Sequence, residues 1–488
     1  MTRPFYTKFL GMHFIRLFRN ECLRTKIQRY KYTYVRVNEA HKRNIGDSIQ
    51  VKGWVDNFRK QSKFYFFDLK DGSTNDHLQV IIGKDVKKLN PDLSYGVSVI
   101  VNGVIGTAPR GHLELRSEHL QLVGKCPKDD GDYPFHRKKN HSNDYIRQYL
   151  HLRAHNDKFQ SIFRARHLAT KFIHQFFDEN NFFLVHAPIL TSNACEGAGE
   201  LFSVVPANQD LLASMQPEKE KKPMDEIFYN RKVYLTLSGQ LHLEAMCQRL
   251  GAVYSFGPIF RAEKSSSPIH MSEFYMIETE ESFVDGIDDL TRRIESFTKN
   301  VTTNLLNHNC KEIHEAIELN APDNEKINIE KHFEWLQKPF KTITYAEASE
   351  ILQKHKPDFV VSEGLSKSDE LLLVEVLECP VFVINWPKSL KPFYMRTCQD
   401  DPNLVEAVDF LMPMVGELAG GSVRADNFDV LSKIIPKNLE WYCDLRKYGG
   451  CTTGGFGIGF DRYLQVLLGI RNIKDTIPFP RWPRHCNM

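Results

Sequence analysis

The apolar positions change period along the chain. Between residues 46 and 124 they alternate or run in short blocks, at 49–55, 64–69, 78–82, 97–104 and 113–123. Turn pairs such as Asp71-Gly72 and Asn102-Gly103 stand at or between the blocks. Short alternating or apolar blocks bounded by turn signals predict strands. Five strands in about 80 residues suit a small β-barrel. From Phe159 the spacing becomes three and four, with Ile162, Ala165, Ala169, Phe172, Ile173, Phe176 and Phe177 on one face. That predicts an amphipathic helix closed by Asn180-Asn181. Residues 182–190 read as a strand interrupted by Pro188. Proline has no N–H for a ladder, so this strand belongs at an edge or an interface. Residues 206–231 are polar and read as a surface loop. Mixed strands and helices follow without internal repeats. The order is all-β first, then α+β.

Composition adds limits. With 488 residues, of which 42% are hydrophobic and 26% charged, the chain has ordinary globular composition. Collagen-like and largely disordered classes are excluded. No stretch approaches the roughly 18 apolar residues of a membrane span, so no membrane association is expected. Ten scattered cysteines form no CxxC pair, which predicts free thiols and no structural metal.

The net charge of +3 argues against a uniformly basic nucleic-acid binder. Its distribution changes that reading. Residues 1–31 carry eight Lys and Arg against Glu21 alone, a balance of +7, leaving −4 for the rest. A basic, acid-poor, Phe- and Leu-bearing start reads as a mitochondrial targeting segment, although it has no Ser. A basic arm that touches nucleic acid is the other reading. Residues 125–156 are polar, with Pro127, Pro134 and the run His136-Arg137-Lys138-Lys139, and read as a linker. The four cations suit either a solvated face or backbone contact with nucleic acid.

Three segments carry chemistry. The first runs from Phe260-Arg261-Ala262-Glu263 through Lys264, Ser265, Ser266 and Ser267 to His270 and Phe274, ending at Glu278. Arg presents a fixed fork to phosphate oxygens, His adds a donor, and Phe offers a face to a base. A salt-bridged hairpin would use the same residues. The second has six glycines between 449 and 459, then Phe460-Asp461-Arg462 and an apolar helical run. The pattern is GxGxxR rather than GxGxxG, which disfavours a dinucleotide fold. The third pairs Asp409 and Glu417 near Gly420-Gly421, with Arg424 following. Mg²⁺ usually takes one or two carboxylates plus substrate oxygens, and strand acids that cap turns would look the same.

Together and in this order, these segments resemble the class II aminoacyl-tRNA synthetases. The segment at 182–190 is similar to their first motif, 260–278 to the second and 455–462 to the third. The barrel, with Gly53-Trp54-Val55 and the run from Phe67 to Gly72, resembles the anticodon-binding domain of the aspartyl, asparaginyl and lysyl subgroup. The resemblance implies an α+β protein. A five-stranded OB-type barrel at 46–124 would precede a class II antiparallel-sheet catalytic domain at 157–488. Ser192 to Phe202 and Ser238-Gly239-Gln240-Leu241-His242-Leu243-Glu244 are similar to asparaginyl signatures. The aspartyl family has Lys at the place of Leu243, and Asp at the place of Glu278. A carboxylate at Glu278 can accept from a carboxamide, and Arg424 can donate to its carbonyl, so the site suits an amide.

The resemblance further implies roles residue by residue. Glu196, Ser238 and Gln240 would hold the amino acid backbone, with Glu278 and Arg424 on its side chain. Arg261 would grip the α-phosphate of ATP, Glu263 and Phe274 the adenine, and His270 and Arg462 the terminal phosphates. Asp409 and Glu417 would hold Mg²⁺. In the barrel, Phe66 would stack on an anticodon base beside Arg59 and Gln79. Pro188 would lie at a homodimer interface. The expectation is ligation of asparagine to its tRNA in the mitochondrial matrix. An aspartyl enzyme, a non-catalytic RNA-binding protein and an ammonia-using asparagine synthetase are the competing readings. Leu243 and Glu278 count against the first, the intact Arg261, Arg462, Asp409 and Glu417 against the second, and the barrel against the third. Thr453 and Ala425 depart from the asparaginyl pattern, which commonly has His and Glu there. Altered loop contacts are expected at both.

Overall fold

The computed structural model describes residues 32–488, apart from 62, 128–132, 136–140, 194–200, 219–220, 266, 322–326 and 437–438. The targeting segment, the basic run at 136–139 and Glu196 therefore lie outside the described residues. The described residues form two compact units, which divide after position 136.

In the first unit, five strands close into a barrel: β1 (Ser48–Gln61), β2 (Phe64–Lys70), β3 (Leu78–Gly83), β4 (Ser98–Thr107) and β5 (Leu113–Gly124). Neighbours pair antiparallel except β3 with β5, and β4 returns to β1 to complete the ring. A short strand, Thr33–Tyr34, pairs parallel with β1 at Ile49 and Gln50 and covers the edge that the ring leaves there. Period two explains the core: Val51, Val55, Phe67, Leu69, Val80, Val99 and Val101 all turn inward. Their neighbours Phe66 and Gln79 are left half-exposed on the outer surface.

In the second unit, eight strands form a sheet in the order β11-β12-β13-β14-β15-β10-β9-β6. These are β6 (Phe183–Leu184), β9 (Ala252–Phe260), β10 (Glu273–Ser282), β11 (Lys341–Thr344), β12 (Val381–Pro387), β13 (Leu404–Met412), β14 (Gly416–Val423) and β15 (Thr453–Gly459). The six central strands, β12 to β15 with β10 and β9, pair antiparallel; the end strands β11 and β6 pair parallel. Helix α1 (Asp157–Glu179) buries all seven apolar residues expected of it, is capped by Asn156 and ends at Asn180. Helices α2 (Gln240–Leu250), α3 (Ile287–Asn320), α4 (Lys367–Leu377), α5 (Glu440–Lys447) and α6 (Phe460–Leu468) complete the frame.

Some local expectations differ from the structure. Residues 182–190 are not one strand. Phe183 and Leu184 pair at the sheet edge, whereas Leu190–Thr191 (β7) pairs with Tyr234–Leu235 (β8). Ala187 to Ile189 between them belong to no strand, and Pro188 among them has no N–H for a ladder. The polar stretch 206–231 contains a helix, Gln209–Met215, whose Asn208 cap accepts from Leu211 N and whose Leu212 is buried. A single buried side chain in seven residues sets up no apolar period. Residues 143–155, read as linker, form a short helix and a 3₁₀ turn. Arg153 there is fully buried and donates to the carbonyls of Lys474, Ile477 and Pro478. Among the described residues, no helix is long and apolar enough to cross a membrane.

Candidate active site

Strands β10, β14 and β15 form the floor of a cavity of about 340 Å³. Eleven residues singled out from sequence line it: Ser238, Gln240, Arg261, Glu263, His270, Phe274, Glu278, Asp409, Glu417, Arg424 and Arg462. They come from positions up to 224 residues apart, and pairing of β10 with β15 and β15 with β14 brings them together.

At one end, Glu278 is buried on β10. Its carboxylate accepts from the Ser238 hydroxyl at 2.5 Å and from Gly239 N–H at 2.9 Å to each oxygen. Ser255 Oγ stands 3.4 Å away. The entry to α2 is thus tied to β10. The buried Gln240 side-chain nitrogen finds no partner among the described residues, which leaves a donor in the cavity wall.

Arg424 lies just past β14 and forms a forked pair with Glu280, at 2.8 Å from Nη2 and 3.1 Å from Nε. Both are buried, and Arg424 Nη1 also donates to Ser422 Oγ at 2.7 Å. Burial pushes Glu280 above the ordinary carboxylate range, and the guanidinium pulls it back. Sequence reading missed Glu280. Its only signal was its place two residues after Glu278, on the same face of the strand. Gly455 explains how they fit. A Cβ there would overlap the Thr279 carbonyl and a Glu280 oxygen. This glycine therefore serves strand packing rather than ligand approach.

Leu243 is fully buried in a cluster with Cys247 and Val253, behind the cavity wall. Its neighbour Glu244 is also fully buried, and accepts from the Tyr442 hydroxyl at 2.6 and 2.8 Å and from the Arg446 guanidinium. Ala425, one of the two departures, has its carbonyl held by Arg446 Nε at 2.8 Å. Thr453, the other, accepts Arg424 N–H at its carbonyl, also at 2.8 Å. Both therefore contribute backbone groups around Arg424.

The other end is looser. Arg261 and Glu263 lie just beyond β9 rather than on it, with Nη1 3.9 Å from Oε1. The Arg261 guanidinium stands 5.7 Å from the Phe274 ring centre. At that distance the cation is attracted directly to the ring face. His270 Nδ1 is 2.6 Å from Ser267 Oγ and 3.2 Å from Ser265 Oγ. Burial, with Arg462, Lys367 and Arg261 nearby, holds its pKa below the usual value despite Glu263. Its Nε2 lies 3.7 Å from Glu263 Oε2.

Arg462 sits in the first turn of α6. It donates from Nη1 to the Glu417 carbonyl at 2.8 Å and lies 3.7 Å from its carboxylate. The preceding Asp461 accepts Tyr275 N–H at 3.0 Å and pairs with Arg166 of α1 at 2.6 Å, which fixes the helix start to β10.

Asp409 on β13 and Glu417 on β14 converge above Gly420. A Cβ there would lie 3.2 Å from Glu417 Oε1 and 3.8 Å from Asp409 Oδ1. Lys391, missed from sequence, grips both Asp409 oxygens at 2.7 Å. Burial and the nearby Glu417 raise Asp409, and Lys391 opposes them. Enclosure also pushes Glu417 up, but Arg462, Lys391, Lys367 and Arg261 hold it below the ordinary range. Two carboxylates that share space without a backbone obstacle fit a divalent cation completed by substrate oxygens. Among the described residues no group of three or more ligating side chains forms, so a cation here would depend on the substrate.

In the barrel, Arg59 pairs across strands with Phe66 and stacks 5.7 Å from its ring. Its Nη2 donates to Gln79 Oε1 at 3.1 Å. The three residues share one outer patch. Pro188 is exposed, beside the exposed Phe183, Leu184, Ile189 and Leu190.

Comparison with known proteins agrees with this geometry. Residues 142–483 match the family model of tRNA synthetases class II (D, K and N), and 49–123 match the OB-fold nucleic acid binding domain. An asparaginyl-tRNA synthetase of Mus musculus is 40% identical, over 93% of this chain and 93% of its own. A probable mitochondrial asparagine–tRNA ligase of Dictyostelium discoideum is 39% identical, over 94% and 99%. The crystal structure of asparaginyl-tRNA synthetase from Pyrococcus horikoshii, complexed with asparaginyl-adenylate, superposes with a TM-score of 0.80 at 27% identity, covering 93% of this chain and 99% of that one. The chain belongs to the class II tRNA synthetases of the aspartyl, lysyl and asparaginyl group, and within it to the asparaginyl-tRNA synthetases.

Proposed function

We propose that this chain ligates asparagine to its tRNA in the mitochondrial matrix, working as a homodimer and using ATP and Mg²⁺. The observation that carries the reading is a single cavity with two unlike ends. One end presents Glu278 and Arg424, an acceptor and a donor at the two poles of a carboxamide. The other presents Arg261, His270 and Arg462 to a triphosphate.

Ser238 and Gln240, with Glu196, hold the amino acid's ammonium and backbone. The asparagine carboxylate attacks the α-phosphorus of ATP, the bond to the bridging oxygen breaks, and pyrophosphate leaves. Arg261 faces the charge that develops on the α-phosphate, and His270 and Arg462 hold the leaving group. Phe274 and Glu263 take the adenine. Asp409 and Glu417 hold Mg²⁺, which neutralises phosphate charge when bound. No side chain acts as nucleophile, so the rate comes from positioning and electrostatics. The adenylate then passes its acyl group to a ribose hydroxyl of the terminal adenosine. The barrel, residues 46–124, reads the anticodon through Phe66, Arg59 and Gln79. Residues 125–156 lead into the catalytic domain at 157–488.

The +7 balance of residues 1–31 supports a transit peptide. The exposed apolar group around Pro188 supports a dimer contact. ATP–pyrophosphate exchange with asparagine and aspartate side by side tests the function. Exchange that depends on asparagine is expected; greater exchange with aspartate overturns the reading.

A further inference from the structure

Below the carboxamide end of the cavity lies a buried group that none of the roles above uses. Glu244 on α2 is bound by the Tyr442 hydroxyl and the Arg446 guanidinium, both from α5. Arg446 also contacts the Tyr442 hydroxyl at 3.0 Å and holds the Ala425 carbonyl at 2.8 Å. Ala425 adjoins Arg424, whose own fork is taken by Glu280. All four charged side chains are almost completely buried, at 0% to 5% exposure. Two carboxylates and two guanidiniums thus form a balanced quartet, and the segment from Arg424 to Ala425 is gripped from both sides.

Balance matters because the medium is dry. Each buried guanidinium already has a carboxylate of its own, so neither is in surplus to meet a further negative charge. A neutral carboxamide can share Arg424 with Glu280. A substrate carboxylate would add a further anion beside Glu278, the buried carboxylate already at this end, with both guanidiniums taken, and an unmatched buried charge is very costly.

From this we propose that Glu244 is a specificity-determining positioning residue: through Arg446 it keeps the charge beneath Arg424 balanced, and so excludes aspartate in favour of asparagine. Glu244 touches no reacting atom. It acts by cancelling a cation that would otherwise strengthen the field at the substrate side chain. The inference rests on the function proposed above, and the experiment separates the two.

Wild-type exchange is measured first with each amino acid. If the wild type prefers aspartate, the functional reading fails. If it prefers asparagine, Glu244→Gln tests the inference. The amide keeps the shape and one acceptor but removes the charge. The expected result is a fall of at least about tenfold in the ratio of kcat/KM for asparagine over aspartate, with the KM for ATP unchanged. A purely structural role lowers both amino acids together, and an unaltered ratio overturns the proposal. Glu280→Gln makes the same charge change from the neighbouring carboxylate. It reads the same ratio should Glu244→Gln not fold. Tyr442→Phe removes a hydroxyl without changing charge. Its ratio is expected to stay within about twofold of wild type; a tenfold fall there would assign selectivity to packing instead and overturn the charge argument.

Discussion

The two ends of the cavity are built on opposite plans. At the amide end, ion pairs are buried and close, as in the 2.8 Å fork of Arg424 on Glu280. At the phosphate end, Arg261 and Glu263 stand 3.9 Å apart, His270 and Glu263 3.7 Å, and Arg462 and Glu417 3.7 Å, all with solvent access. The first plan fixes a shape and a charge before the substrate arrives. Although Lys391 is held tightly by Asp409, the second leaves Arg261 and Arg462 loosely matched, free to turn toward a ligand with several negative charges. Selectivity for a small neutral group needs rigidity, because a misplaced donor costs as much as a missing one. Stabilising a moving, strongly charged phosphate needs available charge.

The largest effect tests the rigid end. Arg424→Met leaves Glu280 buried without its guanidinium, and loss of one partner of a buried pair costs about 3–5 kcal/mol. Denaturant unfolding is expected to show that loss, with asparagine-dependent exchange abolished. A small loss of stability would mean that the amide end is not held by this pair. Next, Arg261→Ala at the loose end should lower exchange by about 10²- to 10³-fold, the scale for removing one donor to a developing charge. Its unfolding midpoint should move little, since the side chain is partly exposed and its nearest carboxylate is distant. Equal losses of stability in the two variants would erase the contrast.

A third measurement leaves the cavity altogether. Phe66→Ala should weaken tRNA binding by about 1–3 kcal/mol, the usual contribution of one stacked base, while amino acid activation without tRNA stays unchanged. The smallest effect concerns α4, which carries Lys367 beside the phosphate end. Ser366 caps this helix, and Asp369 completes the capping box by accepting Ser366 N–H at 2.9 Å. Burial pushes its pKa up, but the Ser366 hydroxyl and Lys356 outweigh that and hold it below the ordinary value. A lowered native pKa gives stability that is present above the ordinary aspartate pKa and lost as pH falls through the native one. Thermal unfolding from pH 5 to pH 3 should therefore fall less steeply in Asp369→Asn than in the wild type.

Much of this was legible in the residues themselves. Period two over 46–124 predicted all five barrel strands, because a strand with one buried face must alternate. The three chemical segments were readable because phosphate and carboxamide recognition demands particular residue types in a local pattern. The helix at Gln209–Met215 was not, since it buries a single side chain, Leu212.

What only the tertiary structure decided is which charges meet. Lys391, Arg446 and Arg166 carried no local signal, because an ion pair between residues 18, 202 or 295 positions apart has no periodicity. Asp409 read as a cation ligand, yet the fold also gives it Lys391. Gly455 stood in the sequence as one of six glycines between 449 and 459, and the fold fills the space beside it with Thr279 and Glu280. By itself the sequence determined the elements and the list of candidate groups. The pairing of β10, β14 and β15 decided which of those groups are matched and buried and which stay open to a phosphate. The physical reason is that the worth of a charge depends on its partner and on its distance from water, and only the folded chain supplies either.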